Sequence, residues 1–221
     1  MRTPLLLLSS AAAPLLLIGG WLLAESRQPP GFDPITDPVS ALAATDAATP
    51  AIMTVGFAGA ALAYLTTAAA LTEAARPGRL LLGLGGMALL AVAAFPISGA
   101  GTPAGHSIAA VACFVALAAW PAFGPASAGA LRPSAFGPGT AGALRRPTSA
   151  VAAVELFVLL AGMGVTALTG GPFGLAERIV IAAESLWPLV VVLSLRVRAR
   201  PLGAERRPGP ALGSRDGRPQ H

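Results

Sequence analysis

Residues 176–200 read AERIVIAAESLWPLVVVLSLRVRAR. Residues 176–195 are almost wholly apolar, and at a rise of about 1.5 Å per residue they are long enough to cross a hydrocarbon core of about 30 Å. Arg196, Arg198 and Arg200 follow at once, as expected where a membrane helix leaves the bilayer on its cytoplasmic side. Glu177 and Arg178 open the run, and one further acid, Glu184, interrupts it from within. A helix, its solvent, its orientation and a candidate site can therefore be read from this one segment.

Working outward, comparable apolar stretches occupy residues 5–24, 50–72, 80–97, 104–123 and 148–168. The expected fold is all-α, a polytopic bundle of six transmembrane helices over residues 1–200. The third stretch is the shortest, and Pro96 is expected to mark its limit. The first exceeds the roughly 7–15 apolar residues of a signal-peptide core and five more spans follow it, so a retained anchor is the better reading.

Composition agrees. Hydrophobic residues make up 54% of the 221 and charged residues 11%, too few charges to cover a water-facing exterior. All fifteen cationic side chains are arginines, and thirteen of them fall on one side of a six-span topology. Arg2, Arg76, Arg79, Arg132, Arg145, Arg146 and the seven of the tail share that face, whereas Arg27 and Arg178 lie opposite. The positive-inside rule then places both termini in the cytoplasm of a multi-pass protein of the cell (inner) membrane. The absence of lysine alongside abundant Ala, Gly, Pro and Arg points to a GC-rich bacterial genome. The arginines are scattered among loops without aromatic interleaving, so the net charge of +5 does not indicate nucleic-acid binding; membrane lipids are the expected partners. The single Cys113 excludes an intrachain disulfide.

The connection over residues 124–147 contains a duplication. FGPASAGALR at 123–132 recurs as FGPGTAGALR at 136–145. Its Gly, Pro and Ala content reads as a slack cytoplasmic linker, and the Pro-, Gly- and Arg-rich tail 201–221 reads as disordered. Gly56 and Gly59, Gly83 with Gly85 and Gly86, and Gly162 with Gly164 are expected to let helices approach closely.

Two acids fall inside spans, where an ionisable group needs a partner, a proton or a cavity. Glu184 lies about 12 Å into the sixth span and Glu155 about 10 Å into the fifth, and both are expected to face the bundle interior. Pro188 cannot donate to the Glu184 carbonyl, which predicts a kink and a free carbonyl beside the carboxylate. The outer side gathers Asp33, Asp37, Ser40, His106, Glu177 and Arg178 at one depth. Glu177 and Glu184 are two turns apart on one face, so carboxylates can lead from the surface inward. His106 is placed to donate to Asp33 or Asp37, and Arg178 to pair with either. The competing reading of this cluster is a salt-bridged lid that fixes the loop over the bundle.

Enzyme classes thin out against the inventory. Only His106 precedes His221, too few histidines for a histidine-based zinc hydrolase or a bis-histidine haem. No P-loop, GxSxG or HExxH motif occurs, and no cofactor is expected. A carboxylate-only metal site of Asp33, Asp37 and Glu177 stays open.

The stretch 31–42, GFDPITDPVSAL, together with Phe95-Pro96, Gly105-His106, GLAER at 174–178 and Trp187, resembles the bacterial membrane family called domain of unknown function 998. The resemblance covers roughly residues 1–195 and implies six spans and a multi-pass inner-membrane location, with no established activity to carry over. Asp33, Asp37, Ser40, His106, Glu177 and Arg178 match its polar signature. Ala43 and Ala44 replace a Gly often found there, and the duplicated loop has no counterpart. The leading functional expectation is a protein that binds or moves a small molecule, lipid or ion through an outward-facing pocket around Glu184. The alternatives are a membrane-embedded enzyme acting on a lipid or isoprenoid with Asp33, Asp37 and His106 as acid, base or ligands, and a structural partner of another membrane protein.

Overall fold

The computed structural model describes residues 2–126 and 142–199. Six helices carry the chain back and forth: α1 (Arg2–Glu25), α2 (Pro50–Ala70), α3 (Arg76–Ala94), α4 (Ala104–Ala119), α5 (Arg146–Thr169) and α6 (Phe173–Ala199). All six, α4 together with the 3-10 turn Trp120–Phe123 that continues it, are long and apolar enough to cross a membrane. They form a closed ring in chain order, α6 returning to pack on α1, with α4 against α5 the thinnest seam. The ends of the bundle differ chemically. One, here the acidic end, carries the 26–49 loop and the turns after α3 and α5. The other carries Arg76, Arg79, Arg145 and Arg146.

Local sequence explains the helix limits. Pro50, Pro77 and Pro147 sit in the first turns of α2, α3 and α5, where the missing N–H costs nothing. Pro96 follows directly on the end of α3, and α5 ends on Gly170 in the left-handed conformation (φ +69°). The helix α6 runs unbroken through Pro188.

Leucines and valines on the outside of every helix, among them Leu8, Leu15, Val55, Leu62, Leu84, Val111, Val158 and Val190, are exposed. A water-soluble monomer does not carry apolar surface all the way round, whereas lipid covers it at no cost. Inside, small residues bring the backbones together. A Cβ on Gly56 would lie 3.0 Å from the Leu16 carbonyl oxygen, and one on Gly86 would lie 3.0 Å from that of Ala61. Buried hydroxyls add a bond between helices, Thr67 Oγ1 donating to Ser9 Oγ at 2.9 Å.

Two expectations fail on α5. Its buried face is Ser149, Ala152, Ala153, Leu156 and Met163, set by packing on α6 and on the 3-10 turn Trp120–Phe123, where Ser149 Oγ donates to the Pro121 carbonyl. Glu155 lies about a quarter-turn from that face and is exposed, not turned inward. Gly162 and Gly164 support no packing among the described residues, since a Cβ on either would meet nothing within 4 Å.

Most of the duplicated segment and the tail 201–221 lie outside the described residues. The described ends of the 124–147 connection are packed. Ala126 N–H donates to the Glu73 carbonyl, Ala143 N–H donates to Ser194 Oγ at 2.7 Å, and Leu144 is buried.

Candidate functional site

At the acidic end the 26–49 loop folds over the bundle and is held by its own polar groups. Asp33 accepts the Ile35 N–H (3.0 Å) and the Thr36 hydroxyl (3.2 Å), and Asp37 Oδ2 accepts the Asp33 N–H (2.9 Å). Arg178, near the start of α6, clamps this turn. Its guanidinium pairs with Glu25 at the end of α1 (2.5 and 2.7 Å) and donates to the Asp37 and Gly174 carbonyls, both at 2.9 Å. The arrangement is self-consistent: the Glu25 carboxylate stands at the negative end of the α1 dipole, and the planar, multidentate cation offsets it. Gly174 is required beneath the loop, because a Cβ there would lie 2.3 Å from the Asp37 carbonyl oxygen.

Below the clamp the polar groups change character. Glu177 is buried and takes the Val39 N–H on Oε2 at 2.5 Å, fixing the short helical turn Val39–Ala43 against α6. Glu177, Ser40 and His106 line the upper part of a cavity that continues past Ile181 to Glu184, Tyr64 and Cys113. Its volume is about 40 Å³. The walls between these groups are apolar, with Leu17, Phe57, Leu89, Phe114 and Leu117 prominent.

Within it, Glu184 is 1% exposed, and both its Oε1 and the Tyr64 hydroxyl lack a hydrogen-bond partner among the described residues. Counted along α6, Glu184 is about 16 Å from Phe173, near mid-membrane depth. His106 Nδ1 lies 2.9 Å from the Phe95 carbonyl, which can only accept, so Nδ1 carries a proton, and His106 is one of the residues that line the cavity.

A family model described as a protein of unknown function, DUF998, matches residues 10–194. The chain belongs to the DUF998 family. Comparison with curated proteins and with solved structures finds no match. The DUF998 region contains the clamp residues and the whole lining of the cavity.

The structure thus divides the candidate polar residues of this DUF998 protein into two groups. Asp33, Asp37 and Arg178 belong to the clamp, whereas Ser40, His106, Glu177 and Glu184 line the cavity. Arg178 pairs with Glu25 and with a backbone carbonyl of Asp37, and not with either aspartate side chain, because those side chains are consumed by the 33–37 turn. His106 bonds Phe95 and neither aspartate, since α4 begins where the chain has just left α3. Among the described residues no three His, Cys, Asp or Glu side chains converge as a metal would need, so Asp33, Asp37 and Glu177 do not form the carboxylate site left open above. Sequence reasoning missed Glu25, Tyr64 and Cys113. Glu25 was readable as an acid closing a span. Tyr64, the one tyrosine of the chain, was a polar tip inside an apolar helix.

Proposed function

We propose that this DUF998 protein is a multi-pass protein of the bacterial inner membrane that binds a proton or small cation on Glu184, through a cavity at its outward-facing acidic end. The distribution of arginine supports that orientation, with both termini cytoplasmic. The reading is carried by the two orphaned polar atoms, Glu184 Oε1 and the Tyr64 hydroxyl, that share one cavity. A buried polar atom without a partner costs about 1–3 kcal/mol, and water or a small ligand in the cavity removes that cost.

Size selects the class of ligand. At about 10–15 Å³ per water centre, a 40 Å³ cavity accommodates about three waters or one partly hydrated ion. A lipid or isoprenoid chain is far larger, and the acid, base and ligand set of the enzyme reading is not assembled. Glu177, two turns above Glu184 on the same face of α6, lines the cavity between the loop and the deep carboxyl.

Differential acid–base titration in lipid nanodiscs tests this. Across the range in which the fold holds, the wild type takes up one proton more than E184Q, and a cation that competes for the site shifts that difference. Identical uptake by the two proteins overturns the proposal.

A further inference from the structure

We infer that two copies of this chain associate through α5, with Glu155 of one copy hydrogen-bonded to Glu155 of the other. Glu155 lies mid-helix on the lipid-facing side of α5, nine residues and about 14 Å from Arg146. Lipid covers the exposed valines and leucines of the other helices equally well, so they call for no partner. A carboxyl on the same surface does call for one, because hydrocarbon offers it neither donor nor acceptor.

A second copy supplies what is missing. In its neutral form a carboxyl carries one O–H donor and one carbonyl acceptor, so it is complementary to itself. A two-fold axis places the same residue opposite itself, and no other symmetry or foreign chain is needed to satisfy both. The surroundings on α5 suit such an axis. Val151, Val158 and Gly162 recur at helical spacing on the Glu155 stripe and are exposed. A Cβ on Gly162 would meet nothing within 4 Å, so none of the described residues uses that gap, and a facing helix can approach closely there. The helix also has surface to spare. Among residues 157–169 only Met163 is buried, and α5 has the lowest buried share of the six spans, 22% against 39–50%.

The test is energy transfer between donor- and acceptor-labelled full-length protein in liposomes, read as the protein-to-lipid ratio is lowered. The wild type associates, and E155Q retains the association because a carboxamide is also donor and acceptor. E155L and G162L each weaken it by about five- to thirtyfold, the range of one interhelical hydrogen bond or a lost close approach in lipid. Both positions are exposed, so the monomer folds in every variant, checked by helical circular dichroism. Energy transfer absent at all ratios overturns the inference. So does association that E155L and G162L leave unchanged, which puts the contact on another face, or association lost equally in E155Q, which makes the partner group cationic.

Discussion

Replacing Arg178 by alanine removes four contacts at once: two to Glu25 at 2.5 and 2.7 Å and one each to the carbonyls of Asp37 and Gly174. What remains is a carboxylate at the negative end of α1 with no counter-ion. Stranding one member of a buried ion pair costs about 3–5 kcal/mol. The Glu25 side chain keeps 19% of its surface, so water softens the penalty and we take the lower end, about 3 kcal/mol. At 1.4 kcal/mol per decade that is about a hundredfold in the ratio of folded to unfolded protein. The lysine variant keeps a charge but not the fork, and should lose about 1–2 kcal/mol through carbonyls left unbonded. Unfolding in mixed micelles by added SDS, followed by the fluorescence of Trp21, Trp120 and Trp187, measures each value. The decisive comparison is E25Q/R178A. With the stranded charge gone, the double variant should be more stable than the sum of the single losses predicts, by about 1 kcal/mol or more. A loss under about 1 kcal/mol for R178A, or strict additivity with E25Q, would refute the clamp.

Other outcomes follow from the packing. Gly174→Ala places a Cβ against two backbone carbonyls, so the same assay should show a loss of about 1–3 kcal/mol, together with faster proteolysis in the 26–49 loop. Gly86→Leu drives a side chain into the α2 backbone and should lower stability by a similar or larger amount. Gly164→Ala meets open space and should raise stability by about 0.5–1 kcal/mol through helix propensity alone; a loss there would show a neighbour that the fold does not place.

The six helices were legible because each is a long apolar run closed by proline, glycine or a charged residue. The lipid solvent shows in the same residues. The direction in which an acid points was not legible. Glu155 and Glu184 look alike in sequence, each a carboxylate well inside an apolar stretch. Glu184 is enclosed because Glu177, Ile181 and Glu184 share the stripe of α6 that faces α2 and α4. Glu155 is excluded because the small residues that pack against the bundle, Ser149, Ala152 and Ala153, lie on a different stripe of α5. Helical spacing gives the stripe and not its partner. The pairing of Arg178 was hidden for a related reason. The aspartates compete for backbone donors a few residues away, at almost no entropic cost, and so the more distant Glu25 receives the guanidinium. His106 is fixed by the Phe95 carbonyl exposed where α3 ends, which only the closure of the α3–α4 turn reveals.

The most direct test of the central claim is infrared spectroscopy of the carboxyl C=O stretch, comparing wild type with E184Q in nanodiscs before and after transfer to D₂O. The expected result is a protonated-carboxyl band, absent from E184Q, that shifts promptly on deuteration because water in the cavity reaches Glu184, and that changes with pH in the medium. A Glu184 band that resists exchange for as long as the fold persists would mean a dry, purely structural carboxyl, and would contradict the account.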